Sequence, residues 1–217
     1  GLCVCGGHTE ITDAVSQAVA VGAVAGTAPS SRLLDKRRMR KGDRLLLTKG
    51  VAVEGTGLIA REFGGRLTKS GISAAEVAAS AGFLDRIGVL KEAEVARQFP
   101  GVSALHDVTE GGLATAVREL SSAGGHRLRV HMDKIPIYPQ TERVCEALGL
   151  DPLGLIGSGS LLIACSPGEA KELCAAIQEA GIEVVDIGEV LDATEGVEAF
   201  RDGSPVEWPL FERDEVS

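Results

Sequence analysis

Residues 103–115 read Ser-Ala-Leu-His-Asp-Val-Thr-Glu-Gly-Gly-Leu-Ala-Thr, the stretch of this chain that says most about its fold. A short apolar stretch ends at Asp107, and a glycine pair follows at 111–112. The apolar residues after the pair have the spacing of a helix, which we predict over 109–122. Asp107 and Glu110 therefore stand beside the free backbone N–H groups of a helix start, which attract anions. Carboxylates there would repel a bare phosphate, so a bridging divalent cation such as Mg²⁺ is expected. The stretch predicts part of a metal–nucleotide site, with an acidic N-cap before a glycine turn as the alternative.

Outward from this stretch, strand patterns alternate with helix patterns along the chain. We predict strands at 2–5, 16–28, 43–48, 127–132, 161–165, 182–190 and 196–201, and helices at 54–62, 109–122, 141–148 and 167–180. A further helical region covers 73–98 and is broken around Gly82 and Gly88. Residues 16–28 are ambiguous, since their alanines favour a helix whereas their alternating valines and two glycines favour a strand in a tightly packed sheet. The alternation predicts an α/β or α+β fold in which helices cover a sheet.

Composition and charge exclude several classes of protein. The net charge is −9 over 217 residues, which leaves no basic stripe to bind nucleic acid. The basic run at 36–41 is interpreted as a solvated loop rather than a phosphate-binding patch. The five cysteines form no C-x-x-C pair, so we expect free buried thiols in a reducing compartment, with Cys3 and Cys5 on one face of the strand 2–5. With neither a signal peptide nor an eighteen-residue apolar run, the protein is predicted to lie in the cytoplasm and not in a membrane.

A glycine pair follows the first predicted strand. The backbone N–H groups of Gly6 and Gly7 could approach a phosphate, and Thr9 or Glu10 could bind phosphate or metal. An ordinary turn is the alternative interpretation. The chain begins inside a strand pattern without an initiator Met, and we interpret it as a domain excised from a longer protein.

Two more segments carry glycines beside predicted strands. Lys49 stands where the strand 43–48 ends, before a helix, so it could contact a phosphoryl group; a solvated lysine in a strand-to-helix connection is the alternative. The order of residues there does not fit a Walker A loop, which excludes a P-loop fold. Residues 157–160 (Gly-Ser-Gly-Ser) could line a nucleotide, although close packing of the backbone is the favoured interpretation.

Taken in order, the segments 6–10, 47–56, 106–113 and 157–164 resemble successive landmarks of the aminoimidazole ribonucleotide (AIR) synthetase, or PurM-like, superfamily. The segment 47–56 favours its hydrogenase-maturation members or uncharacterised AIR-synthase-related members. The resemblance implies a two-domain enzyme that uses ATP and Mg²⁺ to phosphorylate an amide or carbamoyl-type oxygen. Its substrate would be a small molecule or a protein-bound group, and it would form a homodimer through a sheet of its N-terminal domain.

The resemblance also implies where this chain belongs in such an enzyme. Residues 1–31 would be the tail of the N-terminal ATP-binding domain, and 32–217 would form the C-terminal domain, an α+β sandwich of a mixed sheet against helices. The aspartate-rich segments expected upstream are not in this chain, so we predict that it binds nucleotide weakly and catalyses little alone. A non-catalytic module that binds a nucleotide or a partner is the alternative function.

The family pattern implies roles for particular residues. Asp107 matches the C-terminal-domain aspartate that reaches a metal ion, and where several members carry an acidic residue after the first glycine pair this chain has His8. Glu10 is therefore expected as the second metal ligand, so that Glu10 and Asp107 meet around a cation that carries a triphosphate. The expected nucleotide- and phosphate-binding residues are Gly6, Gly7, Thr9, Lys49, Gly111 and Gly112.

Overall fold

The computed structural model describes residues 3–30 and 33–216, and the chain divides into two units, 1–33 and 34–217. The division falls close to the boundary expected at residue 32. Whether the first unit is the tail of a preceding domain stays a prediction, and each unit is described here by itself.

The first unit contains no regular structure over residues 3–29, and its side chains there are exposed, Val21 to 93%. The strands predicted at 2–5 and 16–28 are therefore wrong for the described residues, and Leu2 lies outside them. A segment of alternating valines forms a strand only where a second strand pairs with its backbone N–H and C=O groups. The described part of this unit contains no such second strand. Cys3 and Cys5, predicted to be buried thiols on one face of a strand, are exposed, so the prediction is wrong for these two.

The second unit contains one seven-stranded mixed sheet and six α-helices within the described residues. The strands are β1 (Arg44–Thr48), β2 (Val102–Asp107), β3 (Arg127–His131), β4 (Leu161–Cys165), β5 (Val184–Val190), β6 (Gly196–Arg201) and β7 (Ser204–Val206). The helices are α1 (Val53–Lys69), α2 (Ala74–Ala81), α3 (Leu90–Ala96), α4 (Gly112–Gly124), α5 (Pro139–Leu148) and α6 (Ala170–Glu179). The α+β fold class is confirmed, although neither β2 nor β7 was assigned as a strand from the sequence.

The sheet has the order β2-β4-β1-β5-β3-β6-β7, with β3 and β6 parallel and every other neighbouring pair antiparallel. Because side chains alternate across a sheet, the consecutive leucines of β1 enter two different apolar cores. Leu45 and Leu47 share a core with Leu120 of α4, whereas Leu46 shares one with Leu173 of α6. Helices on both faces thus explain why this strand is an uninterrupted apolar run.

Helix boundaries follow the backbone rather than the apolar pattern alone. The helix predicted at 54–62 continues to Lys69, with a kink at Phe63 where φ is −117° and ψ is 20°. The helix predicted at 109–122 is α4, which lies between Gly111 (φ 73°) and Gly125 (φ 68°). Both glycines adopt the left-handed backbone conformation, which residues with a side chain rarely adopt and which interrupts an α-helix. Among the described residues, no helix is both long enough and apolar enough to cross a membrane.

The basic run at 36–41 is not a simple solvated loop. It begins with a 3-10 helix at Lys36–Arg38, after which Met39 is buried against α4. The methyl group of Met39 occupies the space that a side chain at Gly124 would need. The arginines of the run stay exposed, so the interpretation holds for them and fails for Met39.

Candidate functional site

Three of the four segments singled out in the sequence meet at one end of the sheet. β1 and β2 are both antiparallel to β4 and lie on either side of it, so both end where β4 begins. Asp107, the last residue of β2, pairs with Leu161, the first residue of β4. The backbone N–H of Leu161 donates to Thr48 Oγ1 at the end of β1, at 3.0 Å. The connections after β1, after β2 and before β4 therefore form one cluster.

Hydrogen bonds tie these three connections to one another. The N–H of Val108 donates to the carbonyl of Ser160 at 3.1 Å, and the N–H of Gly157 donates to the carbonyl of Thr109 at 3.3 Å. The hydroxyl of Ser160 donates to the carbonyl of Gly50 at 2.6 Å, within the protein interior. The cluster is therefore a single bonded structure and can hold a ligand-binding group in a fixed position.

Asp107 presents its carboxylate at the rim of this cluster. Its side chain is 59% exposed, and its Oδ1 lies 3.8 Å from Nδ1 of His106. Within the described residues, no group of three or more His, Cys, Asp or Glu side chains is placed to hold a metal ion. Mg²⁺ commonly uses one or two protein carboxylates together with water and phosphate oxygens, so one exposed aspartate fits that ion. The metal role of Asp107 stays a prediction.

His106 links the strand β2 to two neighbouring elements. Its Nδ1 lies 3.1 Å from Lys36 Nζ, and its Nε2 lies 3.0 Å from Glu119 Oε2 on α4. Burial lowers the pKa of His106, Lys36 lowers it further, and the carboxylates of Glu119 and Asp107 oppose the change. In the neutral ring this geometry suits a proton on Nε2, which donates to Glu119 while Nδ1 accepts from Lys36.

The glycine pair 111–112 begins α4 as expected, and its first N–H already has an anionic partner. The N–H of Gly111 donates to Asp214 Oδ2 at 2.7 Å. Gly112 has φ 60°, and a Cβ there would lie 2.5 Å from the carbonyl oxygen of Leu153. An acidic cap does occupy this helix start, but Asp214 near the end of the chain supplies it. No local pattern could have identified that residue.

The ammonium of Lys49 lies inside the protein, so the alternative interpretation, a solvated lysine, is wrong. Its side chain is 11% exposed, and Nζ donates to the carbonyls of Arg86, Gly88 and Gly159 at 3.0, 2.8 and 2.8 Å. Glu92 Oε1 lies 2.7 Å from the same nitrogen. A contact with phosphate, which stays a prediction, would require the ammonium to give up at least one of these partners.

The segment 157–160 is close-packed backbone, as the favoured interpretation predicted. A Cβ at Gly157 would lie 2.8 Å from Cγ1 of Val108. Gly159 has φ 117°, and a Cβ there would lie 2.9 Å from the carbonyl oxygen of Arg86. Glycine is required at both positions because the neighbouring chain leaves no room for a side chain.

The predicted residues at the start of the chain lie in the first unit. Gly6, Gly7 and Thr9 are exposed, and the space beside both glycines is open. Glu10 Oε2 lies 4.0 Å from Nε2 of His8 within the same segment. The phosphate roles of these residues, and the meeting of Glu10 with Asp107, stay predictions.

The cysteines behave as free thiols, as expected from their spacing. Burial raises the pKa of Cys145 to about 12 and that of Cys165 to about 11. Both thiols therefore remain protonated near neutral pH and are poor nucleophiles. Covalent catalysis by these two residues is not supported.

Comparison with known sequences shows the family of this chain. Residues 40–199 match the sequence model of a family described as "AIR synthase related protein, C-terminal domain". The chain is 32% identical over 173 residues to the carbamoyl dehydratase HypE of Cupriavidus necator, an alignment that covers 77% of this chain and 45% of that protein.

Solved structures show the same fold. The crystal structure of Escherichia coli HypE, a hydrogenase maturation protein, superposes with a TM-score of 0.64 and 27% identity over 83% of this chain and 54% of that one. A HypE in complex with ATP superposes with a TM-score of 0.62 and 20% identity, over 83% of this chain and 54% of that one. The chain spans about half the length of these relatives.

Proposed function

Because the chain belongs to the AIR synthase related protein family through its C-terminal domain, we propose that it is part of an ATP-dependent carbamoyl dehydratase that serves hydrogenase maturation. In this proposal residues 32–217 are the C-terminal domain and residues 1–31 end the nucleotide-binding domain before it. The observation that carries the proposal is the exposed Asp107 carboxylate at the rim of three hydrogen-bonded connections, in a chain 32% identical to a carbamoyl dehydratase.

The proposed reaction removes water from a carbamoyl group at the expense of ATP. The carbamoyl oxygen attacks the γ-phosphorus, ADP leaves, and one N–H proton is lost. Departure of phosphate together with the second N–H proton then leaves a cyano group. Because phosphoryl transfer depends mainly on position and charge stabilisation, a cluster that fixes backbone N–H groups and one carboxylate is suited to part of this task.

Each proposed site residue has a limited role. Asp107 would hold Mg²⁺, which would supply charge neutralisation at the phosphates. Glu10 is likewise proposed as a metal ligand. The N–H groups of Gly6 and Gly7, with the Thr9 hydroxyl, would contact phosphate. The start of α4 at Gly111 and Gly112 would do so only if these N–H groups left their present acceptors, Asp214 Oδ2 and the carbonyl of Thr109. Lys49 is left out of the proposed phosphate ligands because three carbonyls already accept its N–H protons.

ATP is the nucleotide that the family resemblance implies, and one solved HypE of this fold contains it. The acceptor would carry its carbamoyl group on a small molecule or on a protein. A homodimer formed through a sheet of the N-terminal domain that the resemblance implies, and a cytoplasmic location, both stay predictions. The chain alone is expected to bind Mg-ATP weakly and to turn over little of it.

Calorimetric titration of ATP into the protein, once with Mg²⁺ and once without it, tests the proposal. We expect weak binding that requires Mg²⁺ and that falls about 10-fold or more in Asp107→Asn, the loss usual when a metal site is weakened. Asp85→Asn, a change at another exposed aspartate, should bind as the unaltered protein does. Absence of binding at millimolar Mg-ATP, or equal binding by Asp107→Asn, would contradict the proposal. Binding without any hydrolysis in a longer protein that contains this chain would favour the non-catalytic module.

A further inference from the structure

The ammonium of Lys49 is enclosed by oxygen atoms from separate parts of the chain. Lys49 follows β1 with φ 55°, in the left-handed region, and its side chain enters the protein. Its three N–H protons are taken by three backbone carbonyls, those of Arg86, Gly88 and Gly159. Two of these carbonyls lie in the turn 86–88, which begins at the last residue of the 3-10 helix Gly82–Arg86 and precedes α3.

A fourth oxygen completes the enclosure. Glu92 Oε1 lies 2.7 Å from Lys49 Nζ, and the Glu92 side chain is 1% exposed. The ammonium has three protons for these four oxygens, and the carboxylate oxygen has no well-aligned hydrogen bond within the described residues. The carboxylate therefore acts on Nζ through its charge. The carbonyl oxygens of Arg86, Gly88 and Gly159 and the carboxylate of Glu92 thus form a cage around the Lys49 ammonium.

The cage is built into the candidate site. Gly159 contributes one carbonyl, and its φ of 117° lets the turn 86–88 approach so closely that a Cβ would strike the Arg86 oxygen. The next residue, Ser160, donates its hydroxyl to the carbonyl of Gly50, beside Lys49 itself. Loss of the cation would leave three carbonyls and a carboxylate facing one another, and their repulsion would displace the segment 154–160.

We propose that Lys49 is a positioning residue, a tethered cation that holds the segment 154–160 and the turn 86–88 together at the candidate site. The inference does not rest on the proposed function, since it concerns only contacts within this chain. It has a specific chemical consequence. Lys49→Ala removes three methylene-type carbons and the nitrogen, so the vacated cage should accept n-propylammonium from solution.

Thermal unfolding in sodium buffer, with and without n-propylammonium chloride, tests the proposal. Lys49→Ala is expected to lower the melting temperature by about 10 °C, because it leaves a buried carboxylate without its partner. n-Propylammonium should restore part of that loss in Lys49→Ala and leave the unaltered protein unchanged. Tetramethylammonium, which has the charge but no N–H protons, should not restore it. Lys171→Ala, the same substitution at an exposed lysine, is the matched control.

A local measurement separates positioning from general stability. Hydrogen exchange of peptides that cover 154–160 should rise in Lys49→Ala and fall again with n-propylammonium, while peptides from α6 stay unchanged. If Lys49→Ala does not fold in sodium buffer, its refolding yield with n-propylammonium is measured instead, and recovery is expected. A melting temperature lowered no more than by Lys171→Ala, or no specific effect of n-propylammonium in either measurement, would overturn the proposal. Mg-ATP binding enters none of these measurements, so their failure and that of the proposed function are distinguishable.

Discussion

The carboxylate of Asp214 accepts a hydrogen bond from the backbone N–H of Gly111 at 2.7 Å, although 103 residues separate them in the chain. The last described residues thus cap the helix that begins beside Asp107. Glu215 also attaches the end of the chain to the second unit. Its Oε2 accepts from the N–H of Asp151 at 2.9 Å, and its own N–H donates to the carbonyl of Gly154 at 3.2 Å. The end of the chain is therefore part of the candidate site's support.

Asp214→Ala should lower the free energy of unfolding by about 1 kcal/mol, the usual value of an acidic helix cap. The physical reason is that the N–H of Gly111 loses its acceptor at the positive end of α4. Urea unfolding followed by circular dichroism measures the change. Glu212→Ala, which alters an exposed acidic residue of the same segment, is the control and should have little effect. Equal stability of both variants would show that the cap contributes nothing.

Gly112→Ala should destabilise the protein by about 3 kcal/mol, since it combines a left-handed backbone with overpacking. A Cβ at this position meets the carbonyl oxygen of Leu153 at 2.5 Å. Gly125→Ala is the matched control, because Gly125 ends the same helix with φ 68° in open space. That change should cost about 1 kcal/mol from the backbone alone. Similar losses for both variants would contradict the close approach of Leu153.

Trp208→Phe should lower the free energy of unfolding by about 1 kcal/mol, the value of one buried hydrogen bond. The indole N–H of this buried side chain donates to the carbonyl of Ala114 on α4 at 3.0 Å. Chemical unfolding followed by circular dichroism provides the measurement. Leu210→Ala, at a largely exposed side chain of the same segment, should change stability by less than about 0.5 kcal/mol. A neutral Trp208→Phe would mean that the indole bond is not formed.

The single tyrosine of the chain should titrate far above its ordinary range. Burial raises the pKa of Tyr138 to about 12, helped by its hydrogen bond to Glu183 and opposed by the charge of Arg86. The ultraviolet absorbance of tyrosinate measures the titration directly in the folded protein. In Glu183→Gln the midpoint should move down towards 10, because the hydroxyl loses its anionic acceptor. A midpoint near 10 in the unaltered protein would contradict this environment.

This titration also predicts a pH dependence of stability. The pKa of Tyr138 is higher in the folded state than in the unfolded chain, so the folded state retains its proton more strongly. The stabilisation is complete below the unfolded value of 10 and is lost as the pH rises towards 12. Tyr138→Phe should show less dependence of stability on pH across that interval, measured by urea unfolding.

Prediction from the sequence succeeded where the signal was local. The apolar run 161–165 became β4, and the glycine pair 111–112 begins α4 as predicted, although the helix continues two residues beyond the predicted end at 122. It failed at 16–28, because an alternating pattern states what a strand would bury but not whether a second strand is there to pair with it. β2 was missed for a related reason, since its half-buried edge position gives a weak pattern.

The amino-acid order alone determined the alternation of strands and helices, the turns at glycines, and the family, because each depends on backbone preferences and spacing within short segments. Only the tertiary structure decided which groups meet. The ammonium of Lys49 donates to the carbonyl of Gly159, which is 110 residues away along the chain. The backbone N–H of Gly111 donates to the carboxylate of Asp214, which is 103 residues away. Buried charges and free N–H groups must be satisfied by whatever the fold brings within hydrogen-bond distance, and that distance is set in space and not along the chain.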